Sequence, residues 1–233
     1  MTEHRFFVPP DEMTGERFPL PPSIAHQVRR VLRLGEGDEL VLLDGRGSLA
    51  RCRLGPDGRE AEVVDRRPAG GEPRHRLVLG QALIKGDGLE TVIRQGTELG
   101  VAAFRLLVTQ RSVSRAVSPR RLERLRSIAR EAAEQSERAV VPEVSGPAPF
   151  ATALEPGAVL LYERAGEETP RLGELPPPAM VLVGPEGGFT PQEVGAARDA
   201  GVLLAGLGPR ILRAESVALA AASTILARTG DFA

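Results

Sequence analysis

The spacing of apolar and polar residues changes character partway along the chain. In the first part, short apolar stretches separated by glycine-containing turns predict β-strands at residues 39–44, 49–54 and 61–65. A helix over residues 23–33, with Ser23 as its N-cap, is predicted to precede them. This pattern predicts a small, mostly β domain.

Residues 66–74 (RRPAGGEPR) combine proline and glycine without apolar periodicity, and we interpret them as an interdomain linker. Beyond them, predicted strands alternate with predicted helices. The strands are residues 77–83, 102–108, 159–162, 180–183 and 202–205, and the helices are residues 87–99, 118–138, a segment that begins at Thr190, and 214–229. Such alternation predicts a largely parallel sheet covered by helices.

Three of these helices begin with capping signals. The signals are Asp87 with Glu90, Ser118 before Pro119, and Thr190 with Pro191 and Glu193. A side-chain oxygen at the N-cap accepts a bond from a free N–H group of the first turn, and proline fits the first helical position. Gly230 follows the last helix and predicts its end.

Composition places the chain among ordinary globular proteins, because 42% of its 233 residues are hydrophobic and 26% are charged. No apolar stretch follows a basic start, and no later run is long enough to cross a bilayer, so we expect a cytoplasmic protein without membrane contact. The single cysteine, Cys52, excludes an internal disulfide. His4, His26 and His75 are scattered, so no metal site is predicted.

The basic residues are almost all arginine. The net charge is −1, and Lys85 is the only lysine, so 29 of the 30 basic residues (30 minus 1) are arginine. A bias in codon usage explains this count. The positions of the arginines are more informative, because their planar guanidinium groups suit phosphate contacts.

Three groups of polar residues are candidate RNA contacts. They are Arg29, Arg30 and Arg33, three or four residues apart on one helical face; Arg111 and Arg115, on the loop RSVSR after a predicted strand; and Gln135 and Arg138, at the end of the long helix. A solvated surface explains the first two groups nearly as well. For the third group, the alternative is a charged solvent face whose arginine complements the helix dipole, which explains Gln135 less well.

The most informative local sequence is VLVGPEGGFT at residues 181–190. An apolar strand runs directly into a glycine-rich loop and then into a capped helix, which places the loop where α/β sheets bind ligands. Gly184, Gly187 and Gly188 lack a Cβ, which we interpret as room for the backbone to approach a flat ligand. An ordinary turn that requires glycine is an equally good explanation. A Walker phosphate loop is excluded, because Gly-Lys-Ser/Thr does not follow.

Two further segments resemble binding motifs. GRGSLA at residues 45–50 matches the dinucleotide fingerprint, but a strand rather than a helix is predicted after it, so we interpret it as a hairpin turn and reject a Rossmann site. LGPRILRAESVA at residues 207–218 places Arg210, Arg213 and Glu215 around an apolar pair at a strand-to-helix junction. This arrangement favours a binding site modestly over a surface ion-pair cluster, which would contribute little stability.

Six segments, in this order, resemble the RsmE family of ribosomal RNA uridine-N3 methyltransferases, within the SPOUT class of knotted methyltransferases. They are HQVRRVLRLGEGDELVLLDGRG from His26, KGDGLETVIRQGTELGV from Lys85, RSV from Arg111, EAAEQSERAVVPEV from Glu131, VLVGPEGGF from Val181 and LGPRILRAES from Leu207. The resemblance runs nearly end to end, and six ordered motifs are far more specific than any one of them.

The resemblance implies a fold and a reaction. The fold is α/β: a PUA-like RNA-binding β-barrel over residues 1–68, then over residues 74–233 a SPOUT-type trefoil-knotted parallel sheet with helices on both faces. The implied reaction is S-adenosylmethionine-dependent methylation of uridine N3 in 16S ribosomal RNA, free or in the assembled small subunit, with uridine 1498 as the family target. Members resemble one another in being homodimers whose site is completed by the second protomer.

The resemblance also implies which residues form the site. The cofactor would lie bent between two loops and a strand end, against Leu161, Tyr162, Val183, Gly184, Pro185, Glu186, Gly187, Gly188, Leu207, Gly208, Arg210, Ile211, Leu212, Ser216 and Ala218. We assign catalysis to Arg213 or Arg210, which would stabilise the uracil anion. Glu215 would orient the arginine or take the N3 proton.

The chain departs from the family pattern at two places. Threonines are usual around the glutamate of the last motif, where this chain has Ala214 and Ser216, and a lysine is common at the position of Gly96. The change at Ala214 puts one hydroxyl contact in doubt, whereas Ser216 keeps its hydroxyl.

Three other functions stay open. A ribose 2′-hydroxyl methyltransferase of the same class would have a serine- and asparagine-bearing motif where ILRAES stands. A catalytically silent ribosome assembly factor would keep the fold and bind RNA without the cofactor. A small-molecule methyltransferase would not need the separate N-terminal domain.

Overall fold

The computed structural model describes residues 4–162 and 168–232. The chain forms two compact units. The first comprises Met1–Glu72 and Ala133–Val141, and the second comprises Pro73–Ala132 and Pro142–Ala233. The return of Ala133–Val141 to the first unit is not predicted from the sequence.

The first unit is built on a five-stranded sheet. Its strands are β1 (Arg5–Phe7), β2 (Arg17–Pro19), β3 (Glu39–Leu43), β4 (Ser48–Leu54) and β5 (Glu60–Pro68). Their order is β1-β3-β4-β5-β2, with β1 parallel to β3 and all other neighbours antiparallel. The three predicted strands are confirmed, and β5 extends into the predicted linker.

The helix before these strands differs from the prediction. α1 (Pro22–His26) continues into one π-helical turn, Gln27–Val31. Pro22 occupies the first helical position, so Ser23 lies inside the first turn and the prediction of a Ser23 cap is wrong. Arg33 lies beyond the π turn with a φ of 57°. The three arginines therefore do not share one helical face.

The segment between β3 and β4 is a hairpin turn, as predicted. Gly45 and Gly47 have φ values of 69° and 104°, which only glycine adopts easily. Asp44 Oδ1 accepts bonds from the backbone N–H groups of Arg46 at 2.7 Å and Ser48 at 2.9 Å. Burial raises the pKa of Asp44, but these bonds outweigh it and leave the pKa below its ordinary value.

The second unit contains a six-stranded, fully parallel sheet, which confirms the predicted α/β class. Its strands are β6 (Val78–Ala82), β7 (Ala103–Val108), β8 (Glu143–Pro149), β9 (Val159–Leu161), β10 (Met180–Val183) and β11 (Leu203–Ala205). Their order is β11-β9-β10-β6-β7-β8. The edge strand β8 is not predicted from the sequence, because it contains one glycine and two prolines. These residues are tolerated at the edge of a sheet.

Helices cover both faces of this sheet, as expected. They are α2 (Gly88–Leu99), α3 (Pro119–Gln135), α4 (Pro191–Asp199) and α5 (Ala214–Arg228). One hydrophobic core contains residues of α2, α3 and α5 together with Leu79 of β6 and Val181 of β10. A second core contains residues of α4 together with Val78 and Leu182, which precede and follow these two residues on the same strands. The trefoil knot stays a prediction.

The capping signals have mixed outcomes. Thr190 and Glu193 form the predicted capping box, and Ser118 Oγ accepts a bond from Arg121 N at 3.2 Å. Asp87 occupies the N-cap of α2 but makes no side-chain cap bond. Glu90 bonds Arg124 at 2.9 Å instead, which raises the pKa of that arginine, so the predicted capping box at α2 is wrong.

The long helix α3 ends earlier than predicted. It stops at Gln135, and Glu137 follows in the left-handed region with a φ of 59°. Ala133 is fully buried in a small core with Phe7, Val41 and Leu43, among others. Burial of Ala133 in this core explains why the end of α3 belongs to the first unit.

Among the described residues, no helix is both long and apolar enough to span a bilayer. The same residues contain no cluster of three or more histidine, cysteine or acidic side chains that could hold a metal ion.

Candidate active site

The parallel sheet has a topological switch point between β6 and β10. These strands are direct neighbours, but the chain leaves β6 through α2 toward β7 and leaves β10 through α4 toward β11, on the opposite side. α2 and α4 also cover opposite faces. Ligands of α/β proteins bind outside the carboxyl ends of strands at such points. The topology therefore places the candidate site at the carboxyl-end edge of the sheet, outside β6 and β10.

The loop after β10 is tied to the loop after β6. Glu186 Oε1 accepts a bond from the backbone N–H of Lys85 at 2.8 Å, which links the two strand ends that define the switch point. Within the loop, Gly188 N donates to Pro185 O at 2.8 Å, and Gly188 has a φ of 67°. The loop is therefore a defined tight turn that requires glycine at 188.

Two other glycines of this loop have a reason that differs from the predicted one. A Cβ added at Gly184 would lie 3.2 Å from the Phe189 ring, and one added at Gly187 would lie 3.3 Å from the Arg111 side chain. The space that the missing Cβ leaves is thus filled by the protein itself. Packing against Phe189 and Arg111 is thus a second reason for glycine at these two positions, and the approach of a ligand to this loop stays a prediction.

A turn after β7 also contacts the glycine-rich loop. Arg111 Nη1 donates to Gly187 O at 2.6 Å. Gln110 N donates to Glu193 Oε1 at 2.8 Å, and Glu193 also accepts a bond from Thr190 N at 2.9 Å. The structure therefore places Arg111, a predicted RNA contact, against the glycine-rich loop.

The loop after β11 presents an open surface. Within the described residues, a Cβ added at Gly206 or at Gly208 would meet no atom within 4 Å. Ile211 is 87% exposed and Leu212 is 36% exposed, although both are large apolar residues. This loop, which the resemblance also assigns to the cofactor, therefore combines exposed apolar surface with an exposed glycine at 208.

Four further predicted cofactor residues lie at the end of β9 or on α5. Tyr162 N donates to Ala205 O at 3.0 Å, so the ends of β9 and β11 lie side by side. Leu161 and Ala218 are buried in the core of the second unit, whereas Ser216 is exposed. The side chains of Leu161 and Ala218 therefore pack inside the protein.

The three predicted catalytic residues lie at the start of α5. Arg213 is its N-cap residue, and Glu215 lies in its first turn, where a carboxylate is favoured by the helix dipole. Arg210 and Arg213 are exposed, and Glu215 is half-buried. Within residues 168–232, neither a hydrogen bond nor an ion pair joins Glu215 to either arginine, so the predicted orienting contact is not present.

The two positions that depart from the family pattern both face the interior. Ala214 is 6% exposed and packs in the core of the second unit. A Cβ added at Gly96 would lie 2.9 Å from the Phe104 ring, which is fully buried. A lysine side chain at position 96, as is common in the family, would therefore clash with this packing.

The sequence analysis missed two residues at the edge of the sheet. Gly206 opens the loop after β11, and Lys85 follows the switch-point strand β6. Lys85 is exposed and has no ion-pair partner in the part of the chain that the structure describes. Its position directly after a predicted strand, as the only lysine of the chain, was the available signal.

The predicted RNA contacts differ in exposure. The exposed ones are Arg29, Arg30, Arg33, Arg111, Arg115 and Gln135. Arg138 is 3% exposed and bonds Glu72 through Nη2 at 2.6 Å and through Nε at 3.2 Å. Its guanidinium group is therefore part of the interior of the first unit, which argues against a phosphate contact.

Two family models of RNA-modifying enzymes match this chain. The family model for the RNA methyltransferase domain matches residues 71–226, and the model for the RNA methyltransferase PUA domain matches residues 24–65. The chain therefore combines an RNA methyltransferase domain with a PUA domain.

Relatives narrow the class. The chain is 35% identical to the ribosomal RNA small subunit methyltransferase E of Synechocystis over 96% of this chain and 78% of that protein. It is 32% identical to the Bacillus subtilis protein of the same name, with 97% and 96% covered. This chain belongs to the ribosomal RNA small subunit methyltransferase E family.

A solved structure of the family agrees with this fold over its whole length. The methyltransferase E of Neisseria gonorrhoeae, bound to S-adenosylmethionine, superposes with a TM-score of 0.89 at 32% identity and covers 100% of both chains.

Proposed function

We propose that this protein transfers a methyl group from S-adenosylmethionine to N3 of a uridine in 16S ribosomal RNA. The observation that carries the proposal is the carboxyl-end edge of the sheet, where the glycine-rich loop follows the switch-point strand β10 and the loop after β11 exposes Gly208 and Ile211. Membership of the family and the cofactor bound to the Neisseria relative support it.

The residues at this edge fit the cofactor. S-adenosylmethionine has a flat adenine ring and a polar amino-acid end, so its site needs apolar surface and backbone groups that can be approached closely. Ile211 and Leu212 provide apolar surface, and Gly208 between them and β11 is exposed and has no side chain to cover its backbone. When bound, the cofactor supplies an electrophilic methyl group.

The residues of the chain then position the uridine and remove its proton. N3–H of uracil lies on the pairing edge, so the base must be unpaired and extruded before it can react. Arg213 and Arg210 are exposed, and in this proposal their guanidinium groups stabilise negative charge on the uracil carbonyl oxygens. Glu215, which has no ion-pair partner in the described chain, is our candidate for accepting the N3 proton.

RNA would be held mainly by electrostatic contacts of the first unit. Arg29, Arg30 and Arg33 are exposed and close in sequence, and Arg115 and Gln135 are additional exposed candidates. We also propose a homodimer, in which the partner covers the exposed Ile211 and completes the site. The substrate places the enzyme in the cytoplasm.

The decisive test is mass-spectrometric mapping of methylated uridines in 16S ribosomal RNA from cells with and without the gene. The expected result is one N3-methyluridine that disappears with the gene and returns with the wild-type protein but not with Arg213→Ala. Unchanged N3-methylation would refute the proposal, and loss of a ribose 2′-O-methyl mark instead would show the alternative methyltransferase.

Cofactor binding distinguishes a methyltransferase from a catalytically silent ribosome assembly factor. Calorimetric titration with S-adenosylmethionine is expected to give a saturable one-site curve for the wild-type protein. Absence of binding heat at high protein concentration, together with intact RNA binding, would favour the silent factor.

A further inference from the structure

A single side chain joins two loops at the edge of the sheet. Arg111 lies on the turn after β7, and its Nη1 donates to Gly187 O at 2.6 Å, with Phe189 O farther away at 3.5 Å. Its aliphatic stem covers Gly187, because a Cβ added at that glycine would lie 3.3 Å from both Cβ and Cδ of Arg111. Arg111 therefore contacts the glycine-rich loop through both its stem and its guanidinium group.

The turn that carries Arg111 is itself held firmly. Thr109 and Ser112 are buried, and Thr109 N donates to Ser112 Oγ at 3.1 Å. Gln110 N donates to Glu193 Oε1 at 2.8 Å, and the same carboxylate caps the helix that follows the glycine-rich loop. The backbone on both sides of Arg111 is thus fixed before any ligand binds, so little further ordering of the turn is needed.

We propose that Arg111 is a positioning residue that holds residues 187–189 in the shape that receives the cofactor, rather than a contact to RNA phosphate. This inference rests on the proposed function, because it assumes that the loop after β10 binds S-adenosylmethionine. A charged donor on a carbonyl fixes the direction of that peptide plane, and rigid loops bind ligands more tightly because less freedom is lost on binding.

The glycine at 187 provides a structural check. Gly187 does not have a φ in the left-handed region, so its backbone tolerates alanine. The three atoms nearest to an added Cβ all belong to Arg111. Gly187→Ala should therefore act by displacing the Arg111 stem, and its effect should depend on whether Arg111 is present.

The experiment is a double-mutant cycle on cofactor affinity with Arg111→Ala, Gly187→Ala and the double variant, measured by calorimetry. Arg111→Ala is expected to raise the Kd for S-adenosylmethionine about tenfold, equivalent to about 1.4 kcal/mol. Gly187→Ala should raise it severalfold, and the double variant should resemble Arg111→Ala alone, because coupled neighbours are not additive. Arg111→Lys should recover only part of the affinity, since lysine lacks the planar guanidinium group.

Arg228 supplies the matched control. It is another arginine that donates to a backbone carbonyl, Leu175 O at 2.5 Å, but it does so at the far end of α5. Arg228→Ala should leave cofactor affinity unchanged. The wild-type protein and all variants should melt within a few degrees of one another, since Arg111 is exposed.

Kinetics separate positioning from RNA contact. A positioning role predicts a higher KM for S-adenosylmethionine, with kcat at saturating cofactor and RNA affinity nearly unchanged. A phosphate contact predicts unchanged cofactor affinity and a weaker salt dependence of RNA binding in Arg111→Ala. The second outcome, or additive effects in the cycle, would overturn the proposal. Failure of the wild-type protein to bind the cofactor would instead overturn the proposed function.

Discussion

The contact between Glu72 and Arg138 should be among the most stabilising polar contacts of the first unit. The Glu72 carboxylate accepts two bonds from Arg138, from Nη2 at 2.6 Å and from Nε at 3.2 Å. It also accepts the backbone N–H groups of Ala139 at 3.0 Å and Val140 at 3.1 Å. One side chain therefore holds the segment Ala133–Val141 through four hydrogen bonds.

Burial determines the size of the expected effect. The side chain of Arg138 is 3% exposed, and that of Glu72 is 29% exposed. Removing one partner of a buried ion pair lowers stability by about 3–5 kcal/mol, and the partial exposure of Glu72 favours the lower end. We therefore expect Glu72→Ala to lower the free energy of unfolding by about 3 kcal/mol. Glu72→Gln keeps an acceptor oxygen and should have a smaller effect.

An exposed pair in the same unit is the control. Glu39 and Arg53 lie opposite each other on β3 and β4, with Nη2 and Oε1 3.1 Å apart and side chains 43% and 54% exposed. Exposed pairs contribute about 0–1 kcal/mol, so Glu39→Ala should change stability by less than about 1 kcal/mol.

Urea unfolding followed by far-ultraviolet circular dichroism measures both variants, and thermal melting provides a second measurement. A loss of about 3 kcal/mol corresponds to a decrease in Tm of about 6–12 °C for a chain of this size. If Glu72→Ala and Glu39→Ala fall within about 1 kcal/mol of each other, the assignment of Arg138 to the interior is wrong.

Three further outcomes are expected. Burial raises the pKa of Cys52 from 9.0 to about 11, so the unfolded chain releases the thiol proton at a lower pH than the folded protein does. Stability should therefore fall between pH 9 and pH 11. Urea midpoints should show a larger fall for the wild-type protein than for Cys52→Ala. Gly96→Ala should lower Tm. The added Cβ would lie 2.9 Å from the buried Phe104 ring, which costs about 1–3 kcal/mol, whereas the better helix propensity of alanine contributes only about 1 kcal/mol. Thr190→Ala should lower the unfolding free energy by about 1 kcal/mol in urea, because Thr190 Oγ1 accepts the Glu193 N–H; an unchanged value would show that the Glu193 carboxylate caps this helix alone.

The elements that sequence predicts best are those whose cause is local. Strand–helix alternation predicts the parallel sheet and its helices because each element needs one apolar face or a continuous apolar run. The capping box at Thr190 is predicted because both partners lie within one turn. At α2 the reciprocal bond of the predicted capping box is missing, and the Glu90 carboxylate accepts a bond from Arg124 instead, which lies 34 residues away in the sequence. Competition from distant residues is invisible in a local pattern.

Short or interrupted elements are predicted poorly for a similar reason. β1 and β2 contain three residues each, which is too short for an alternation of apolar and polar positions to be recognised. The return of Ala133–Val141 depends on burial of Ala133 beside Phe7, which no periodicity within α3 indicates. These parts of the fold follow from tertiary packing.

The candidate site shows the same limit at single residues. Sequence locates the glycine-rich loop at a strand end, because a strand, a turn and a capped helix follow one another directly. A glycine in the sequence shows only that a Cβ is absent, and not which atoms occupy the space where that Cβ would lie. At Gly184 and Gly187 the occupants are Phe189 and Arg111, whereas at Gly206 the space is open. A missing Cβ therefore identifies a ligand surface only after the surrounding atoms are known.

Arginine presents the corresponding problem for RNA binding. In a chain where 29 of 30 basic residues are arginine, a cluster of positive charge is weak support for a phosphate site, because internal contacts must use the same residue type. Arg138 bonds a carboxylate inside the first unit, and Arg111 bonds a backbone carbonyl at the edge of the sheet. Arg138 donates through Nε and Nη2 and Arg111 through Nη1, and the same guanidinium donors make arginine suitable for phosphate. Burial and existing bonds, rather than charge, therefore separate these two from Arg29 and Arg30, which are exposed and stay the better candidates for holding RNA.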